Sequence, residues 1–286
     1  MMDKISVLIP VYQEPLEYVR QSIASIQNQT YKNIEILIGI DDPQNIQIID
    51  YCKKIDTLDD NIQVFINDDN LGLSDNLNNL IQHATGSYIA RMDADDIALN
   101  TRLEKQLFFI KNNNLDFISG SYSSIDENGK KLNSVMKMDL MDKEVRKIEK
   151  YGNILTHPLW LVKKDILKSL TYRNAEPVED YDLIARALLL SDVKFGYMGE
   201  PLLEYRIRKN SASHKSPQRI VLMSSEVGRC IIRKKEPNVK LLKSISCVSD
   251  DANVFRVRII QFFMLLRYKL IRVWVERKIK RKILFR

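Results

Sequence analysis

The chain has 286 residues, 45% hydrophobic and 28% charged. These are ordinary proportions for a globular protein with room for one α/β domain and an extension, or for two small domains. Three cysteines, Cys52, Cys230 and Cys247, stand far apart and form no CxxC, which argues against a disulfide framework and suits a reducing compartment. The net charge of +7 is uneven: residues 254–286 hold eleven Lys and Arg against one acid, a sum of +10, leaving −3 for the rest. An anionic partner is therefore expected to meet the tail first.

The opening segment MMDKISVLIPV is too short and too acidic for a signal peptide and leads straight into a strand-like run, so the protein is expected in the cytoplasm. Ile5–Val11 reads as a buried strand. Pro15 suits a first helical turn, and Leu16, Val19, Ile23 and Ile26 recur at helical spacing. Further strands are expected at Ile34–Ile40, Ile62–Ile66 and Tyr88–Met92, with helices near Asn45–Ile55 and Ser74–His83 between them. Alternating strands and helices predict a mostly parallel sheet, flanked by helices, with right-handed crossovers.

The second half is less regular. Asn128-Gly129 signals a hairpin between Ser121–Asp126 and Lys130–Val135. Asp180–Leu190 reads as a helix, and Val193–Met198 and Leu202–Ile207 as two strands. Beyond about Ser216 the pattern is helical, which predicts a helical, basic extension over 216–286.

In a parallel α/β sheet ligands bind beyond the carboxyl ends of the strands. Those positions hold Pro10-Val11-Tyr12-Gln13-Glu14, Asp41-Asp42, Asn67-Asp68-Asp69-Asn70 and Asp93-Ala94-Asp95-Asp96. Polar strand ends are common, since loops are solvated, but four in succession bring acids and amides to one edge. Carboxylates packed as closely as Asp93, Asp95 and Asp96 repel unless a cation or donors compensate them. Mg²⁺ and Mn²⁺ prefer such oxygen ligands, and Mg²⁺ is commonly shared with substrate phosphates. The competing reading is an acidic cap for a helix starting near Asn100. Neither GxxxxGK[ST] nor GxGxxG occurs, so a phosphate-bearing substrate would be held through the metal.

These segments together resemble glycosyltransferase family 2, whose members adopt the Rossmann-like GT-A fold. The resemblance runs through ISVLIPVYQEP, SIQNQTYKNIEILIGIDD, NLGLSDNLNNLIQHATGSYIARMDADDIALNTRLEKQ, EPVEDYDLIARAL and LLEYRIRKNSAS, roughly the first 215 residues. It implies a catalytic domain over 1–215, with a nucleotide-sugar part to about 98 and an acceptor part over 99–215. Tyr12, Glu14 and Asp41 would line the nucleotide pocket, with Pro10, Asn70 and Ala94 beside them. Asp93 would contact the nucleotide sugar, Asp95 would ligate Mn²⁺ or Mg²⁺, and Arg206 and Ser211 would lie close to the diphosphate. Asp180, of the Glu179-Asp180 pair, would be the general base. A lone histidine such as His157 is more often structural, but the resemblance would place it near the acceptor, and His214 would be a further metal ligand. Two departures from the family, Pro43-Gln44 in place of Gly-Ser and Leu80 in place of Gly, bear on the shape of the pocket.

Sugar transfer needs a stabilised leaving diphosphate and a deprotonated acceptor hydroxyl. Asp180 suits the second task because it opens a predicted helix, whose dipole favours the ionised form; simple capping is the alternative. One base with direct displacement inverts the anomeric centre, as the family does, and no second carboxylate is identifiable as a nucleophile. A glycosidase would use two carboxylates without a metal-held diphosphate. A sugar nucleotidyltransferase would need a Gly-rich basic loop after the first strand, which YQEP lacks. A non-catalytic module that keeps the fold is the remaining alternative.

In the tail, VFRVRIIQFFMLLRYKLIRVWV has no apolar stretch long enough to span a bilayer. Its apolar bulk and many cations suit the surface of an anionic membrane, against the alternative of a helix packed on the domain. No recognition motif supports nucleic acid. The expected partners are a nucleotide sugar, a lipid-linked glycan and the inner face of the membrane.

Overall fold

The computed structural model describes residues 3–134, 138–208 and 217–246. The expected tail at 254–286, with Ser211 and His214, lies outside the described residues.

Four strands, β1 (Ile5–Val11), β2 (Ile34–Ile40), β3 (Ile62–Ile66) and β4 (Tyr88–Arg91), form the amino-terminal half. β1 pairs in parallel with β2 and β4, and β2 with β3. Every residue of β1 and β2 is buried, as in a sheet covered on both faces. Alternation sorts the side chains. Ile5, Val7, Ile9 and Val11 join Ile34, Ile36, Ile38 and Ile40 in one core, while Leu8 and Leu37 enter the other. Helices α1 (Leu16–Gln27) and α2 (Ile46–Asp56) cover the first face through Val19, Ile23, Ile26 and Ile48. Helix α3 (Leu73–His83) covers the second through Leu77, Leu80 and Ile81. Each fully buried side chain of this kind contributes about 1.5–3 kcal/mol.

The second half extends the sheet. β5 (Ile97–Ala98), β6 (Phe117–Ile125), β7 (Lys131–Ser134), β8 (Leu161–Lys163) and β9 (Phe195–Arg206) complete the order β3-β2-β1-β4-β8-β6-β9-β5, with β7 beside β6. β6 and β9 are parallel to each other, whereas β5, β7 and β8 run antiparallel to their neighbours. The sheet is thus parallel in the first half and mixed in the second. The two strands expected at Val193–Met198 and Leu202–Ile207 are one. Pro201 and the residues before it sit where the β6–β9 register shifts, a bulge that accommodates a proline within a strand. The β6–β7 hairpin turns at Gly129, with φ +83°, and Asp126 Oδ1 accepts from the amides of Asn128 and Lys130.

Helix α4 (Arg102–Asn112) packs on the first face, and α5 (Asp142–Ile148), α6 (Lys164–Leu170) and α7 (Glu179–Ala187) lie on the second. Two more helices, α8 (Pro217–Arg233) and α9 (Val239–Ser246), begin the segment expected as an extension. Met223, Val227, Ile231 and Leu242 are buried in the second core beside α7, so this part is packed onto the body. No helix among the described residues is long and apolar enough to cross a membrane.

Candidate active site

The carboxyl ends of β1, β2 and β3 surround a cavity of about 630 Å³. Its walls are Tyr12 and Gln13 after β1, Asp41 to Gln47 after β2, and Asp69 and Asn70 after β3. Tyr12 is 41% exposed and its amide donates to Glu14 Oε2 at 2.8 Å. Asp41 is buried and stitches two loops together. Its Oδ1 accepts from Asn67 Nδ2 and the Leu71 amide, both at 2.8 Å, and its Oδ2 from the Gly72 amide at 2.9 Å. Gly72 precedes α3 at φ +82°, a conformation that L side chains avoid. Oδ1 of Asp41 is filled and Oδ2 keeps one acceptor direction for a ligand donor. Pro43 and Gln44 line the cavity, so that departure from the family does bear on its shape. Leu80 does not line it: it is buried in the α3 packing, close to Gly39. Pro10 is buried within β1, opposite Gly39.

The acid cluster stands at the end of β4. The ligand oxygens of Asp93, Asp95 and Asp96 all lie within 4.8 Å of one another. They are not the cap of α4: Thr101 holds that position, and β5 intervenes. β5 is only two residues long, but its pairing with Leu203 and Glu204 of β9 ties the cluster to the end of that strand. Asp96 is fully buried. Its Oδ1 accepts the Arg206 amide at 2.8 Å, and its Oδ2 has no hydrogen-bond partner. Burial, and then the charges of Asp93 and Asp95, hold its carboxyl well above the ordinary range. Asp95 is pushed up to about 6, by burial first and Asp93 second, against the pull of Arg208. Arg208 Nε lies 2.6 Å from Asp95 Oδ2, and its guanidinium 3.8 Å from Glu14. Asp93 pairs with the buried Arg91, and Ala94 is buried between the acids.

The donor set fits a hard divalent ion. It is all oxygen, tightly spaced, and includes a buried oxygen without a donor.

Helix α7 brings the second acid group. Val178 caps it and Glu179 is its first residue, so Asp180 lies in the first turn and is not the cap. Asp180 is half-buried. Its Oδ2 accepts from Asn153 Nδ2 at 2.8 Å and its Oδ1 from the Tyr181 amide at 2.6 Å. Burial pushes its carboxyl up to about 6, while the Tyr181 amide and the Arg91 charge favour ionisation. Glu179 is buried with Oε2 unpaired, and burial and then Asp180 push it up to about 8. Glu149, fully buried, is likewise pushed up to about 8 by burial. Its Oε1 accepts the Ile154 and Leu155 amides at 2.9 and 3.2 Å. That clamp holds the loop carrying Asn153, whose Oδ1 accepts the Leu155 amide at 2.9 Å. Asn153 is thereby oriented toward Asp180.

Two expectations change. Arg206 is buried and fully engaged. It donates to the Asp95 carbonyl at 2.8 Å, to Gln21 at 2.8 Å and to the Glu127 carbonyl at 3.2 Å, and it stacks over Tyr18 at 4.2 Å. Its donors go to the Asp95 loop, to Gln21 of α1 and to the β6–β7 turn, so the arginines paired with the acids of the cluster are Arg91 and Arg208. His157 is 8% exposed. It hydrogen-bonds Tyr172 Oη at 2.7 Å and packs on Trp160 at 4.5 Å. Burial and the Arg91 charge hold it well below the ordinary imidazole range, so it is a neutral residue packed in an aromatic cluster. Arg91, Arg208, Asn153 and Glu149 were not singled out from the sequence. An arginine within the otherwise apolar YIARM strand is the one signal that could have drawn notice.

Comparison with known proteins agrees with this geometry. The family model described as Glycosyl transferase family 2 matches residues 6–171. An uncharacterised glycosyltransferase of Methanocaldococcus jannaschii is 37% identical over 225 residues, 77% of each chain. The O-antigen biosynthesis glycosyltransferase WbnJ of Escherichia coli is 32% identical over 250 residues, 86% of this chain and 94% of its own. Among solved structures, S. aureus TarS in complex with UDP-GlcNAc superposes with a TM-score of 0.65. The identity is 17%, over 85% of this chain and 70% of that one. The fold is therefore GT-A, mixed α/β with a curled central sheet between helices.

Proposed function

The chain belongs to glycosyl transferase family 2, and on that premise we propose an inverting, metal-assisted sugar transfer from a nucleoside diphosphate sugar to a lipid-linked glycan of a surface polysaccharide. The cavity between Tyr12, Asp41 and Asn70 takes the base and ribose. The bound UDP-GlcNAc named for TarS supports a uridine donor, and the O-antigen role named for WbnJ supports a polysaccharide acceptor. One observation carries the reading: the ligand oxygens of Asp93, Asp95 and Asp96 lie within 4.8 Å of one another after β4, the strand paired with β1, whose carboxyl end opens into the cavity.

Asp93, Asp95 and Asp96 would hold Mn²⁺ or Mg²⁺, which supplies charge stabilisation to the departing diphosphate. Arg208, beside Asp95, would contact the same phosphates. Asp180, oriented by Asn153, accepts the proton of the acceptor hydroxyl. Its raised carboxyl is still mostly ionised at neutral pH and is a stronger base than an ordinary aspartate. Glu179 and Glu149 stay protonated there, which spares Asp180 further like charge. The hydroxyl attacks the anomeric carbon opposite the leaving diphosphate, so a single displacement inverts the centre. The reaction would take place at the inner face of the membrane.

Thermal-shift screening of nucleotide sugars with Mn²⁺, followed by turnover with the stabilising donor, tests this reading. Asp95→Ala and Asp180→Ala should each abolish turnover. Transfer that survives both substitutions would refute the mechanism.

A further inference from the structure

The segment joining α8 to α9 carries a charge pattern that the active site does not use. Between Val227 and Ser246 there are six cations, Arg229, Arg233, Lys234, Lys235, Lys240 and Lys243, and one acid, Glu236. All six are exposed. Glu236 is drawn away to Arg173, and Arg229 pairs with Glu226. The other five cations form no ion pair among the described residues. Two large aliphatic side chains stand among them in solvent, Ile232 at 51% exposure and Leu241 at 45%. Their helical neighbours Ile231 and Leu242 are buried, so each helix offers apolar groups on two sides and the body covers only one.

This face is fixed to the acceptor side. Arg173 donates to the Pro237 carbonyl at 3.0 Å and to Asp182 of α7 at 2.9 Å. On α8, a Cβ at Gly228 would lie 2.9 Å from the Lys150 carbonyl and 3.5 Å from Tyr181 Oη. The helix pair thus rests directly on the elements that hold Asp180 and Asn153.

We propose that the α8–α9 turn docks on an anionic lipid bilayer, with the five cations against headgroup phosphates and Ile232 and Leu241 in the boundary below them. The proposal rests on the reading of a membrane-borne acceptor. Charge complementarity selects the occupant: the chain outside 254–286 sums to −3, yet this stretch gathers cations, and it runs on toward the segment of +10. Exposed aliphatics among lysines suit a lipid boundary. A nucleic-acid groove would call for stacking aromatics among the cations, and the stretch has none.

The test is co-sedimentation of the full chain with vesicles of phosphatidylcholine alone or mixed with phosphatidylglycerol. Two variants are compared, one with Lys234, Lys235, Lys240 and Lys243 changed to Glu, the other with Ile232→Ser and Leu241→Ser. A Lys-to-Gln series at the four positions guards against misfolding of the Glu variant. The parent should bind only the anionic vesicles. Each cation near such a surface is worth about fivefold in binding, so the charge variants should bind at least tenfold more weakly, and the serine variant should also lose binding. Unchanged binding by the charge variants would overturn the proposal and assign the membrane to 254–286 alone. No binding by the parent would overturn it too. So would a serine variant that binds like the parent while heparin displaces both, since that describes a polyanion site. UDP binding with Mn²⁺, measured on the same samples, reports separately on the active site. Vesicle binding without it leaves the docking face standing and removes the reading beneath it.

Discussion

Replacing Asp180 by asparagine is expected to abolish transfer while making the fold more stable at alkaline pH. The folded carboxyl sits near 6 against an ordinary aspartate value of 3.8. A raised carboxyl means that the folded state holds its proton more tightly than the unfolded state. Stability is then fullest below about pH 4 and falls as the pH rises through 6. Two pK units correspond to about 3 kcal/mol, of which roughly 2 kcal/mol survives because the side chain still meets solvent. Asparagine puts an NH2 donor in place of one of the two accepting oxygens, so it loses the bond from either Asn153 or the Tyr181 amide, which costs about 1 kcal/mol at either pH. The net expectation is a gain of about 1 kcal/mol at pH 8 and a loss of about 1 kcal/mol at pH 4. Urea unfolding of parent and variant at both pH values measures it, with donor turnover measured in parallel. A variant that loses stability equally at both pH values would refute the claim that burial raises this carboxyl. A variant that still transfers sugar would refute its role as base.

The other expectations follow from neighbouring contacts. Asn153→Ala removes a hydrogen bond to the ionised form of Asp180, so the acid limb of the rate profile should move up from near pH 6 and kcat should fall about tenfold or more; an unshifted limb would make Asn153 purely structural. Arg206→Ala should cost about 2–4 kcal/mol of stability, since several buried hydrogen bonds are lost together. Arg208→Ala, which removes the partner of Asp95 in the same cluster, should cost less stability than Arg206→Ala and should weaken nucleotide binding, which Arg206→Ala affects only through the fold. Glu35 is buried and held down to about 2 by Lys4, Ser6 and Thr85, so its folded value lies below its unfolded one. Glu35→Gln should therefore cost about 3 kcal/mol at pH 7, a difference that disappears as the pH falls from about 4.5 toward 2.

The amino-terminal half was legible in the sequence because its strands are buried on both faces and end in polar loops. ISVLIPV and IEILIGI cannot hide among alternatives, and the helical spacing of Leu16, Val19, Ile23 and Ile26 matches α1. The second half was harder to read for physical reasons. β5 has two residues and exists by pairing with β9, a tertiary effect with no local signal. Pro201 divides an apolar run that the sheet tolerates as a bulge, so one strand reads as two. α5 and α6 span seven residues each, too few turns for periodicity to declare itself.

At the site, the acids could be placed because strand ends are predictable, but their partners could not. Arg206 and Arg208 differ by two positions in a charged stretch, and only the fold decides that the first is buried and the second faces Asp95. Glu149 and Asn153 lie in a region with no sequence motif. They matter because Tyr181 and the Leu155 amide fix them behind Asp180. For His157 the sequence left two readings, a structural histidine and, from the resemblance, a contact with the acceptor; the fold puts it into an aromatic cluster with Trp160 and Tyr172, as the structural reading has it.

The central claim is that the acid cluster after β4 and the cavity beside it bind a nucleoside diphosphate through a divalent ion. Calorimetric titration of UDP into the full chain, with Mn²⁺ present and then with the metal chelated, tests it most directly. The account predicts binding at one site that is lost on chelation and in Asp95→Ala, and kept in Asp180→Asn. Absence of binding by UDP and the other nucleoside diphosphates with Mn²⁺ or Mg²⁺ present, or binding indifferent to both the metal and Asp95, would contradict it.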